Sequence, residues 1–124
     1  MKRDSEALKI RTKDFALRVL RLYRSLPRTQ EARISGSQLL RSSTSIGANY
    51  RAACCGRSRA EFVSKRGIVL EEADETVFWL ELFQEGNIFP AEKLRDLVRE
   101  ANELVSIFVS SLRTARGSPL QSDL

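Results

Sequence analysis

Leu8, Thr12, Phe15, Val19, Leu22 and Leu26 follow one another at intervals of 4, 3, 4, 3 and 4 residues. At 3.6 residues per turn this alternation lays every member on one stripe of an α-helix, an a/d seam that the two-residue period of a strand cannot reproduce. Ala16 and Tyr23 flank the stripe, and Pro27, whose ring cannot continue the turn, ends a helix predicted from about residue 5 to Leu26. The pattern returns late in the chain, where Leu94, Leu97, Ala101, Leu104, Phe108 and Ser111 are spaced 3, 4, 3, 4 and 3, backed by Val98, Val105 and Leu112. Pro90, favourable as a first helical residue, is expected to open that helix.

Two more helices are read between these. Arg28 to Arg33 forms a polar connection, and Ser35-Gly36-Ser37-Gln38 has the spacing of a capping box, so the second helix is expected from there to about Cys55. Its inward stripe is Leu39, Ser42 or Ser43, Ile46, Asn49 or Tyr50, and Ala53. These are mostly small side chains, so close approach to neighbouring helices must hold it more than buried area. Gly56 and Arg57 make a turn, and Ser58-Arg59-Ala60-Glu61 is a second capping box opening a third helix to Gln84 or Glu85, with Gly86 suited to the C′ position. Four helices of about 20–26 residues joined by short turns predict an all-α fold, an antiparallel up-down-up-down four-helix bundle. We place this bundle at residues 1–116 and a disordered tail at 117–124. Folding the second and third helices back about Arg57 sets Gly47 level with Gly67, which predicts a close backbone approach there. The same register puts Arg41 within reach of Glu72 and Glu75, read as a structural ion pair.

Composition limits the chemistry. The 124 residues suit one domain and include no histidine and only two cysteines, which excludes a Ser-His-Asp triad, a Cys-His dyad and His-ligated or Cys₄ zinc. Glu72 and Glu75 lack the Glu-x-x-His partners of di-iron bundles, so no catalytic residue, metal or cofactor is expected. Cys54 and Cys55 are adjacent and point about 100° apart on a helix, so reduced thiols and a cytoplasmic location are expected. No apolar run exceeds four residues, which leaves neither a signal peptide nor a membrane span.

The net charge of +5 conceals a polarity: residues 1–66 carry a net +11 and residues 67–124 a net −6. Lys9, Lys13, Arg18, Arg21, Arg24, Arg51, Arg57 and Arg59 are the candidate nucleic-acid-binding residues, since guanidinium groups pair bidentately with phosphate. The competing use of this charge is internal, against Glu71, Glu72, Glu75, Glu92, Asp96, Glu100 and Glu103 of the third and fourth helices. Val77, Phe78, Trp79, Leu80, Leu82 and Phe83 fall all round the third helix, whereas a bundle helix buries one stripe. Phe78, Trp79, Leu82 and Phe83 are therefore assigned to an oligomer interface. With opposite charge on opposite parts of a subunit, head-to-tail contacts and a cyclic homo-oligomer are expected.

The run from Gln38 to Glu85 resembles the bacterial four-helix-bundle proteins encoded in intervening sequences of 23S rRNA genes, a family that includes the accessory variability protein of diversity-generating retroelements. The motifs carrying the likeness are Gln38-Leu39-Leu40-Arg41-Ser42-Ser43, Ser45-Ile46-Gly47-Ala48-Asn49, Ala60-Glu61-Phe62, Glu71-Glu72-Ala73-Asp74-Glu75 and Trp79-Leu80. With Phe15 to Leu26, the resemblance covers roughly residues 8–115. It implies a homopentamer with a basic surface and, in the retroelement branch, a basic ring that binds a partner reverse transcriptase and RNA. Where many members read Ala-Asn-Ile-Ala-Glu-Gly, this chain has Ala48-Asn49-Tyr50-Arg51-Ala52-Ala53-Cys54-Cys55-Gly56, a more basic tip. The function expected from the residues and the resemblance together is a non-enzymatic, oligomeric nucleic-acid-binding accessory protein of ribonucleoprotein type, with RNA the expected ligand. The alternative is a scaffold that docks an acidic protein, such as a reverse transcriptase, without nucleic acid.

Overall fold

A computed structural model describes residues 2–117, and side chains from residue 4 to residue 114. It contains four α-helices, α1 (Lys2–Ser25), α2 (Gln30–Cys54), α3 (Arg59–Glu85) and α4 (Ala91–Gly117). The expected tail lies outside the described residues beyond Gly117. Each helix runs antiparallel to the one before it. Thr12 meets Gly47 while Tyr23 and Leu26 meet Gly36 across α1 and α2. Arg41 and Ser42 reach Glu72, Glu75 and Thr76 across α2 and α3. Arg66 reaches Ser111 across α3 and α4. The ring closes where Arg11 of α1 reaches Glu100 and Glu103 of α4. The bundle is thus the up-down-up-down one that the spacing predicts.

The predicted seams are the core. Thr12, Phe15, Val19 and Leu22 of α1 pack with Leu39, Ile46 and Tyr50 of α2, Val69, Ala73, Leu80 and Phe83 of α3, and Leu94, Ala101, Leu104 and Phe108 of α4. Tyr50 and Phe108 stack obliquely with centroids 5.5 Å apart. Within this core Thr76 donates its hydroxyl to Ser42 Oγ at 2.9 Å, so the small polar residues of α2 are satisfied by hydrogen bonds as well as by close packing.

Several local expectations are corrected. Helix α2 begins at Gln30, not after Ser35: Thr29 is the N-cap, its Oγ1 accepting from the Ala32 amide at 3.2 Å, and Ser35 and Gly36 are buried inside the helix. A Cβ on Gly36 would meet Leu26 Cδ1 at 2.6 Å, so this glycine serves interhelical contact and not a turn. Ser58 does cap α3, accepting from the Glu61 amide at 3.1 Å. Gly86 has φ −87° and is not left-handed; Asn87, at φ 54°, is the residue that turns the chain out of α3. Pro90 sits just ahead of α4 instead of inside it, its carbonyl accepting from the Lys93 amide at 3.0 Å. The close approach between Gly47 and Gly67 does not occur. A Cβ on Gly47 would lie 3.3 Å from Thr12 Oγ1, on the α1 side, whereas nothing lies within 4 Å of one on Gly67.

Candidate nucleic-acid interface

Ala16, Thr44, Gly47 and Ala48 are small, and they let α1 and α2 approach until Gly47 touches Thr12. The short side chains leave a shallow groove of about 440 Å³. Lys9 and Lys13 stand on its α1 wall and Arg51 on its α2 wall. Lys9 also pairs with Glu6 at 3.2 Å, and the bond to that carboxylate holds its ammonium pKa above the ordinary lysine value. No carboxylate pairs with Lys13 or Arg51 among the described residues.

The other candidate cations are dispersed. Arg18 lies five residues beyond Lys13 and hence roughly 140° round the helix. It lines, with Arg21, a second groove of about 330 Å³ toward α4, which Lys93 and Asp96 share. Arg24 is exposed near the end of α1. Arg57 and Arg59 are exposed at the α2–α3 turn, and Arg59 is engaged in a contact of its own. The eight residues are therefore not one patch: three converge on the α1–α2 groove, two face α4, and three sit at ends or turns.

Part of the basic charge is used internally. Arg11 Nε donates to Glu100 Oε2 at 2.7 Å and Nη2 to Glu100 Oε1 at 2.8 Å, a two-point fork, and Nη2 also reaches Glu103 at 2.7 Å. The Glu100 bond raises the arginine pKa further above its ordinary value. Arg41 donates to Glu72 at 3.3 Å and to Glu75. Trp79 Nε1 donates to the same Glu75 Oε2 at 3.0 Å, and this bond, followed by Arg41, holds the Glu75 carboxyl below the usual carboxylate range.

The turn read as a ring of apolar residues divides in two. Phe83 is fully buried in the core and Val77 and Leu80 join it, so the assignment of Phe83 to an outer interface is corrected. Phe78 remains 55% exposed and Leu82 is exposed beside it, with Trp79 half-buried and edge-on to Phe78. Ile34 is exposed on α2, two turns before Arg41, as Leu82 is two turns after Glu75 on α3. The Arg41–Glu75 contact therefore aligns Ile34 with Leu82 on one face.

The model of the 23S rRNA-intervening sequence protein family matches residues 6–110. The chain belongs to this family. A crystal structure of a protein of unknown function from the S23 ribosomal protein family of Bacteroides thetaiotaomicron superposes with a TM-score of 0.81 at 35% identity, covering 88% of this chain and 97% of that one. No curated relative matches the chain. Among the described residues no helix is long and apolar enough to cross a membrane.

Within this member of the 23S rRNA-intervening sequence protein family, sequence reasoning overlooked two arginines. Arg11 meets Glu100 and Glu103, an i, i+3 pair that stands at matching height on α4. Arg66 is only 8% exposed, its guanidinium carbon 4.6 Å from the Phe62 centroid and 5.1 Å from that of Tyr50. The signal was present in Phe62, one turn before Arg66, a spacing that stacks the two side chains.

Proposed function

We propose that the protein is a non-enzymatic, oligomeric nucleic-acid-binding accessory protein that holds RNA along the α1–α2 groove. The observation that carries this reading is the convergence of Lys9, Lys13 and Arg51 on a groove floored by small residues, with Lys13 and Arg51 free of carboxylates among the described residues. A phosphate backbone suits cations on two facing walls, and such contacts fix position without reading bases. RNA is the polyanion that the resemblance to the retroelement branch implies. Ile34, Phe78 and Leu82 form the face that another copy would cover, so that a ring, a pentamer as the resemblance implies, repeats the groove around its circumference.

Fluorescence anisotropy with a labelled single-stranded RNA tests the reading. With about three phosphates neutralised by the three groove cations, log affinity falls with log salt at a slope of roughly −2. Lys13→Gln with Arg51→Gln weakens binding uniformly across RNA sequences and flattens that slope by about 1 to 2. Absence of binding at low salt refutes it.

A second reading, docking of an acidic protein, has its own observation. Ile10, 62% exposed, and Leu17 stand among Lys13, Arg21 and Arg24 on α1, mirroring Phe78 and Leu82 among Glu71, Asp74, Glu81 and Glu85 on α3. Apolar residues inside a charged face are the anchor pattern of a protein contact. Under this reading Ile10→Ser with Leu17→Ser abolishes co-purification of a partner, such as a reverse transcriptase, after nuclease treatment. Under the RNA reading the same change leaves RNA affinity intact.

A further inference from the structure

Arg66 lies at the end of the bundle where the start of α1, the end of α2, the start of α3 and the end of α4 meet around a cleft of about 950 Å³. Its side chain is more than nine-tenths buried. The ring faces of Tyr50 and Phe62 take the flat sides of the guanidinium. Ser111 Oγ is the one protein acceptor that it meets among the described residues, and Nε is sealed from solvent with no acceptor at all. No carboxylate pairs with it there. The two acidic residues on the cleft wall are otherwise occupied, Glu6 by Lys9 at 3.2 Å and Asp4 by a contact of its own.

A buried guanidinium without a counter-charge is costly, and the cheapest remedy is an anion that completes its hydrogen bonds. We propose that the Arg66 cleft is a binding site for a monoanionic carboxylate with an apolar body. The carboxylate takes the outer Nη donors of Arg66, and the apolar part lies against Leu8 and Phe62, which line the same cleft. Charge sets the monoanion: Lys9 answers Glu6 and Asp4 has a contact of its own, so Arg66 offers one unmatched positive charge, which a monoanion matches and a dianion such as phosphate exceeds. The inference does not rest on the RNA reading, because the cleft and the α1–α2 groove share only Lys9.

The test uses the intact chain and the Nε–H resonance of Arg66, which its burial protects from exchange and which Arg66→Lys assigns by its disappearance. Hexanoate is expected to shift that resonance saturably at constant ionic strength and to bind roughly tenfold or more tighter than acetate, as burial of even two methylenes implies. Hexanamide leaves it unmoved. N-acetyl-leucine against N-acetyl-leucinamide separates the sources of the carboxylate: tighter binding of the former than of hexanoate points to a peptide C-terminus, weaker binding to a free acid. Ser111→Ala, which leaves Arg66 in place, retains the hexanoate shift. No saturable shift with either carboxylate, an equal shift with hexanamide, or tighter binding of inorganic phosphate overturns the proposal.

Discussion

Two glycines in helix interiors have opposite reasons for being there. Gly67 faces open space and has ordinary helical φ, so Gly67→Ala removes unfolded-state freedom without a clash and raises stability by about 0.5–1 kcal/mol, read from urea unfolding midpoints. Gly47 holds α1 against α2, and Gly47→Leu forces the helices apart at Thr12 at a cost of about 1–3 kcal/mol in the same assay. The sequence shows two glycines at matching heights but not which neighbour each one faces, because that depends on how α2 is rotated. Glu75 carries a pH dependence of known sign. Its carboxyl is depressed in the folded state by Trp79 and Arg41, so its contribution is full above the ordinary carboxylate range and is lost as pH falls through the depressed value. Acid titration of Trp79 emission is expected to show a step that Glu75→Gln removes.

At the scale of elements, the seam between α1 and α4 is the one that no short loop closes, and Arg11 spans it. Arg11→Gln leaves Glu100, whose side chain is only 15% exposed, beside Glu103 without its fork. The expected loss is about 1–2 kcal/mol, with faster amide exchange in α1 than in α2 or α3. Helix existence and inward faces were legible because the 3-4 periodicity of Phe15, Val19, Leu22 and of Leu97, Ala101, Leu104 is a direct image of packing. The start of α2 was not. Its first turn is Gln30, Glu31 and Ala32, which offers no large apolar residue, and the serines and glycine at 35–37 imitate a turn although Gly36 packs against Tyr23 of α1 and Leu26 just beyond it. The α1–α2 groove was legible only as charge. That Lys9, Lys13 and Arg51 converge while Arg18 and Arg21 face away requires the rotation of one helix against its neighbour.

For the whole molecule, the polarity of net +11 then −6 is only partly a surface property, since Arg11 and Arg41 are met by α4 and α3 carboxylates. The outward remainder, with Phe78 and Leu82 in water, includes the face that the proposed assembly would cover. Phe78→Glu with Leu82→Glu is expected to give a monomer by light scattering with helical content unchanged, since neither side chain belongs to the core. The α2–α3 hairpin is registered at two depths, by Arg41 with Glu72 and Glu75 outside and by Ser42 with Thr76 inside. Its registration is consequently redundant: a substitution that breaks either pair leaves the other to keep the two helices at the same height.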